Sequence, residues 1–400
     1  MNSNVLIGTE REKLRGDLLE LGFDEVRFAG AGPATESRFA EWLKQGWHAD
    51  MLWMERTADK RLDPGRVLED ALTVILFGVN YLPADKDAAA QDRWAKYALH
   101  DDYHDTLITA VREAAGLVAK RFELGREDSR CYVDTGPVME RGFASRSGMG
   151  WLGKNGMLIS RQHGNWLFLA ALLVRARIEP DEPLKGGRDL QGGAASLGRF
   201  CGTCERCILA CPTDAIREPG LIDSERCISY QTIENKGIIP RRYRVGIGSR
   251  IFGCDICLDV CPWNRFARAG RGLLLTTRYD LAGLDLLDLL TMTSERFTEV
   301  FRRTPLMRLN HERLLRNVCV VAGNLDQVEG WRDNLGGQRE EVVVALIRLA
   351  LEGTALIRVH AVWAVYRLEP DTALDCLNEA RHREMDQGVL DEYAYWDWVK

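Results

Sequence analysis

The chain has 400 residues, enough for two or three domains at roughly 150 residues each. Fifty-nine acidic residues against 53 basic ones leave a net charge of −6, which excludes a wholly cationic nucleic-acid binder but not a local basic patch. An apolar fraction of 46% and a charged fraction of 28% are those of packed globular protein, and a chain of this length needs no disulfide staples.

The first residues, up to Arg11, carry no basic n-region, apolar h-region or twin arginine, so we expect a cytoplasmic protein with no membrane partner. Glu10 to Leu21 predicts an amphipathic helix, with Leu14, Leu18 and Leu21 on one face. Leu72 to Val79 is a nearly continuous apolar run that predicts a buried strand. Leu107, Val111, Ala115, Val118 and Phe122 recur at helical spacing, and Cys131 to Val133 predicts a short strand. Thr135-Gly136-Pro137 then turns the chain toward a helix that ends before Gly148. Gly148-Met149-Gly150-Trp151-Leu152-Gly153 has the form GxGxxG, but it follows a helix, so the dinucleotide geometry is not expected. The longest uncharged apolar run, Trp166 to Val174, has nine residues against the roughly 20 needed to span a bilayer.

From Lys185 to Gly198 composition shifts to five glycines in 14 residues, which reads as a flexible linker. Cysteine-rich sequence follows, and an all-helical tail begins near Leu284. In the tail, Leu315–Ala322 aligns with Ile357–Ala364 at an offset of 42 residues, the period of HEAT-like helix pairs, although helical coincidence is the alternative. The expected fold class is α+β. The expected domains are an α/β catalytic domain over 1–185, a ferredoxin-type domain over 186–275, and a HEAT-like helical domain over 276–400.

Cys201, Cys204, Cys207 and Cys211-Pro212 have the bacterial ferredoxin spacing, in which three thiolates wrap one cubane and the fourth serves another. Cys254, Cys257 and Cys261-Pro262 form a second run, with Cys227 between. Eight cysteines suit two 4Fe-4S clusters. One would be held by Cys201, Cys204, Cys207 and Cys261, the other by Cys211, Cys227, Cys254 and Cys257. Paired structural zinc sites are the alternative. Cys319, on the apolar face of a helix, reads as core packing, and Cys131 and Cys376 receive no ligand role.

Longer motifs add a family. Met51-x-x-Met54-x-Arg56 with Arg61-x-Asp63-Pro64, Tyr97 through His104, and Val133–Arg141 resemble the epoxyqueuosine reductase family. So do Gly148–Ile159, Cys227–Gly237 and Gly253–Asn264. The resemblance spans about residues 10 to 270. It implies a cobalamin-dependent, iron–sulfur oxidoreductase that removes the epoxide oxygen of epoxyqueuosine at the tRNA wobble position, giving queuosine. It also implies a cobalamin domain similar to that of reductive dehalogenases. The chain departs from the pattern in the glycine-rich insert, at Gln231 and at Ser249.

On that resemblance Asp134 is the proton donor, held in an apolar pocket where a carboxylic acid stays protonated. The residue pattern alone also permits a helix-capping Asx-turn there. His104, after an N-capping Asp102, is a second proton-transfer candidate. Arg56, Tyr97, Asp134, Lys154, Asn155 and Ser229 are the implied cobalamin contacts. Between Asn235 and Arg250 lie five basic residues and no acid. Lys236, Arg241, Arg242 and Arg244 are the expected phosphate contacts of a tRNA anticodon stem-loop, with Tyr243 available to stack on a loop base; a solvated charge run is the alternative. An external donor such as a flavodoxin or ferredoxin would supply electrons, and a monomer is expected. Two other functions compete: a small-molecule cobalamin reductase and an electron-carrier subunit.

Overall fold

In Thr73–Asn80, TVILFGVN, nearly every side chain is apolar, so the segment is stable only when covered on both faces. The computed structural model describes residues 5–34, 38–83, 93–186, 197–327 and 338–399, without the side chains of 279, 282 and 399, and there all eight of these residues are buried. Most of the glycine-rich linker expected over 185–198 lies outside the described residues.

The chain divides into two compact units. The first comprises Met1–Lys86, His100–Glu225 and Asp255–Thr277; the second comprises Asp87–Leu99, Arg226–Cys254 and Arg278–Lys400. Elements of the first unit run α1 (Gly8–Glu20), β1 (Glu25–Gly30), α2 (Phe39–Lys44), α3 (Leu52–Arg56), α4 (Ala58–Leu62) and β2 (Thr73–Asn80). Then come α5 (Tyr103–Phe122), β3 (Ser129–Tyr132), α6 (Glu140–Arg146), β4 (Trp151–Leu152), β5 (Leu158–Ile159) and β6 (Leu167–Val174).

The main sheet has the order β1-β2-β6-β3, antiparallel throughout, with Leu76 opposite Arg27 on one side and Ala171 on the other. Side chains alternate between its faces. Val74, Leu76, Ala171 and Leu173 pack with Phe143 and Ala144 of α6, while Phe77 packs against Phe23 with the rings tilted by 30°, centroids 4.3 Å apart. Helix α5 packs on β3 and β6. The expected helices and strands are present, and the sheet with its flanking helices is mixed α and β. Two strands of the main sheet were not legible: β1, whose EVRFAG pairs Arg27 with Glu25 at 2.8 Å, and β6, which sequence marked only as an apolar run. In the GxGxxG segment, a Cβ at Gly148 would meet the Glu182 carbonyl at 2.4 Å and one at Gly150 the Ile159 carbonyl at 2.4 Å. These glycines serve close packing.

The second unit has its own core around the helices His311–Ala322, Arg339–Glu352 and Ala355–Leu368. Both aligned repeat segments lie within buried helices of this set, and those two helices pack on each other. Arg316 is fully buried and donates to the carbonyls of Asn235 (2.7 Å), Gly237 (2.8 Å) and Gln231 (2.9 Å). Asn317 donates to the carbonyls of Thr232 and Ile251, both at 2.8 Å. Buried carbonyls need donors, and here the tail supplies them. By these contacts residues 226–254 group with the tail. No helix among the described residues is long and apolar enough to cross a membrane.

Candidate functional site

Strand β3 ends at Tyr132, and two residues later Asp134 adopts φ +54°. For a residue with a Cβ, that left-handed conformation costs on the order of 1 kcal/mol or more and persists only where the surroundings enforce it. One constraint is Gly136, where a Cβ would sit 2.1 Å from the Tyr132 ring. Another is Tyr103, the first residue of α5, whose hydroxyl donates to Asp134 Oδ2 at 2.9 Å. The Tyr103 ring is buried and stacks on Phe168 of β6, centroids 4.1 Å apart and planes 14° apart. The carboxyl is thus exposed on a rigid support. It does not cap the next helix: α6 starts at Glu140, and its N-cap, Met139, makes no side-chain cap bond.

His104 is tied to its neighbour. Its Nδ1 lies 2.8 Å from Asp102 Oδ1, and its backbone N–H donates to the same oxygen at 3.0 Å. Burial works against charge on Asp102, but the bonds from His104 prevail and hold it below the usual carboxylate range. Asp102 is the N-cap of α5, as its position suggested.

Asp134 is not enclosed in an apolar pocket. The other carboxyl of this corner is Glu140, a half-buried residue in the first turn of α6, to which its motif alone assigns no role. Its Oε1 is buried with no hydrogen-bond partner. Burial first, then the charge of Asp134, push its pKa up to about 8, against its own backbone N–H, Arg61 and Arg141. Arg61, on α4, donates through Nε to Thr57 Oγ1 at 3.0 Å. Arg141 donates to the Gly156 carbonyl at 2.5 Å.

The cysteines of the first expected set, Cys201, Cys204, Cys207 and Cys261, all belong to the first unit. Burial, followed by the charges of Cys201, Cys261 and Cys204, pushes the Cys207 thiol up to about 11, so the four sulfurs are electrostatic neighbours. Burial also raises Cys201, opposed by the Lys154 backbone N–H and the Trp151 indole. Trp151 Nε1 is buried with no conventional partner, and its ring meets Phe200 and Trp263 edge-on at 4.9 and 4.8 Å. Four thiols, a backbone N–H, an indole N–H beside Cys201 and a buried lysine suit anionic thiolates on an iron–sulfur cluster. Among the described residues no three His, Cys, Asp or Glu gather closely enough for a single metal ion. A cubane gives each thiolate its own iron, so its ligands need not converge on one point. Cys211 accepts the Ala215 N–H at 3.3 Å. Cys227 and Cys254 are half-buried residues of the second unit. Cys319 is fully buried, as core packing requires.

Two cobalamin assignments meet competing partners. Asn155 is buried, and its amide donates to Asn165 Oδ1 (3.0 Å) and the Cys257 carbonyl (3.3 Å). Lys154 is buried beside Cys201. Both serve the cysteine loops. Arg56 is exposed at the end of α3, Tyr97 is half-buried 6.0 Å from the Phe252 ring, and Ser229 is the N-cap of a π-helical turn over Tyr230–Glu234.

The basic segment is also corrected in part. Arg244 is 1% exposed; its Nη1 pairs with Glu392 Oε2 at 3.1 Å and its Nε donates to the Ile239 carbonyl at 2.8 Å. Arg241 shares that carboxylate at 2.9 Å. Tyr243 is buried and presents no free face to a base. These three hold the helix Arg241–Ile247 against the tail, while Lys236 and Arg242 are exposed.

Comparison with known proteins accords with this geometry. A sequence profile of a 4Fe-4S double cluster binding domain matches residues 200–264, and one of epoxyqueuosine reductase QueG matches residues 61–135. The chain is 34% identical over 307 residues to the epoxyqueuosine reductase of Cellulophaga algicola, covering 76% of this chain and 95% of that one. A solved selenomethionine-labelled epoxyqueuosine reductase superposes with a TM-score of 0.81 at 24% identity, over 98% of this chain and 99% of that one. Another, solved with an epoxyqueuosine-modified tRNA-Tyr stem loop, gives 0.80 at 24% identity over 97% and 98%. At that identity the two superpositions establish a shared fold.

Proposed function

This chain belongs to the epoxyqueuosine reductase family, and from that membership we propose that it is the oxidoreductase converting epoxyqueuosine in tRNA, at the wobble position, to queuosine. The observation that carries the reading is the Asp134 corner: an exposed carboxyl in an unfavourable backbone conformation, fixed by a buried tyrosine. Reducing an epoxide leaves an alkoxide-like oxygen that must take up protons before it departs as water. Asp134 supplies a proton at its carboxyl oxygen, and Tyr103 orients that carboxyl. When bound, cobalamin supplies low-valent cobalt as the reductant and two 4Fe-4S clusters supply electrons singly.

We assign one cluster to Cys201, Cys204, Cys207 and Cys261, and the other to Cys211, Cys227, Cys254 and Cys257. Arg56, Tyr97, Asp134, Lys154, Asn155 and Ser229 are carried forward as cobalamin residues to be tested one by one, Lys154 and Asn155 through whatever donors the cysteine loops leave them. Lys236 and Arg242 are proposed to meet phosphates of the tRNA anticodon stem-loop. The protein would act as a cytoplasmic monomer supplied by a flavodoxin or ferredoxin.

The test is an anaerobic assay of the purified protein, with reconstituted clusters and cobalamin, on tRNA carrying epoxyqueuosine. Digestion to nucleosides and mass spectrometry should show queuosine accumulating with repeated turnovers. Absence of product from a protein that holds both clusters and cobalamin would overturn the assignment.

A further inference from the structure

The corner around Asp134 contains two carboxyl groups, and the chemistry above uses only one. Glu140 stands six residues beyond Asp134, where the chain enters α6. Its Oε1 is sealed from water without a hydrogen-bond partner. A buried, unpartnered carboxylate oxygen is strongly disfavoured, whereas a neutral carboxyl tolerates burial far better. The charged groups facing it are Asp134 from the loop after β3, Arg61 from α4, and Arg141 on its own helix. Neither arginine forms a salt bridge with it among the described residues, and Arg141 is engaged with the Gly156 carbonyl. Asp134 adds like charge.

We propose that Glu140 and Asp134 hold one proton between them at neutral pH, Glu140 as its store and Asp134 as the exposed oxygen from which it leaves. Glu140 is then a positioning residue acting through Asp134. The shared proton passes from Glu140 to the Asp134 carboxylate and from there to the departing oxygen, and Glu140, a half-buried side chain, then takes a replacement from water. The proposal rests on Asp134 being the proton donor, so its test separates the two ideas.

Burial and Asp134 push the Glu140 carboxyl up to about 8 from an ordinary 4.5. The stability it contributes is therefore complete below about pH 4.5 and lost as pH rises through about 8. Isotope-edited infrared titration of the full chain should show a protonated carboxyl that ionises near pH 8. Glu140→Gln should abolish that signal and flatten the fall in melting temperature between pH 5 and 8. Asp134→Asn should move the signal to lower pH, because the opposing charge is gone. In turnover, the wild type should lose activity as pH rises through about 8. Glu140→Gln should turn over about tenfold or more slower at pH 7 without that decline near 8, and Glu140→Asp should restore a high-pH limb. No carboxyl titrating near 8, or an unchanged pH profile in Glu140→Gln, overturns the proposal. Full turnover by Asp134→Asn with the infrared signal present would instead remove Asp134 as donor while leaving Glu140 neutral.

Discussion

Arg244 and Glu392 offer the sharpest separation between a surface reading and an interior one. Both side chains are 1% exposed and their charges meet at 3.1 Å. Removing one partner of such a pair strands a charge in the interior, at a cost of about 3–5 kcal/mol. Glu392→Gln retains the shape and removes the charge that Arg244 faces; Arg241, which shares the same oxygen, is more exposed and can turn to water. For a unit of this size each kcal/mol moves the midpoint by about 2–4 °C, so the variant should melt about 10 °C or more below the wild type. Replacing both partners by apolar residues, Arg244→Met with Glu392→Leu, should recover most of the loss. Circular dichroism melts read the first effect, and tRNA binding on the folded double variant reads the second. Affinity in that variant should match wild type, while Lys236→Ala with Arg242→Ala should reduce the slope of log affinity against log salt by about 1.5 to 2. A Glu392→Gln melt within 2 °C of wild type, or tenfold weaker tRNA binding by the folded double variant, would refute the interior role.

Asp134→Asn should lower queuosine formation by about 10²-fold or more, and Tyr103→Phe by about tenfold, with the clusters intact, as read by nucleoside mass spectrometry; near-normal rates would remove both from the proton path. Cys227→Ala should lower iron from about eight per chain toward about four, whereas Cys376→Ala should leave it unchanged; equal iron in both would strike Cys227 from the ligands. Trp151→Phe removes an N–H beside Cys201 and should lower the midpoint potential of one cluster and not the other, measured by redox titration with electron paramagnetic resonance. Two unmoved potentials would show that the indole is packing alone.

What sequence revealed was local. Ferredoxin spacing confines its ligands to a few residues, so Cys201 to Cys211 could be read at sight, and Asp134 stood inside a long motif. What it hid depended on distant partners. Arg244 looked solvated because Glu392 lies 148 positions away. The protonation of Glu140 depends on burial, then on the charge of Asp134 in the preceding loop, with Arg61 of a different helix opposing. Asn155 looked like a free donor in a glycine loop until its amide met the Cys257 carbonyl, 102 positions on. Strand β1 was masked by Arg27, whose charge pairs with Glu25 within the strand. Local rules see spacing; they do not see which charge is covered by another part of the chain.

Neither compact unit is a continuous stretch. The chain passes from one to the other after residues 86, 99, 225, 254 and 277. No single cut of the backbone separates the two units: a gene truncated after residue 277 would encode all of the first together with two fragments of the second. Any insertion or recombination that exchanged the tail alone would leave behind residues 226–254, whose buried carbonyls depend on Arg316 and Asn317 for donors. The segment carrying Cys227 and the helices that brace it must therefore be inherited together, as one module written in separated pieces.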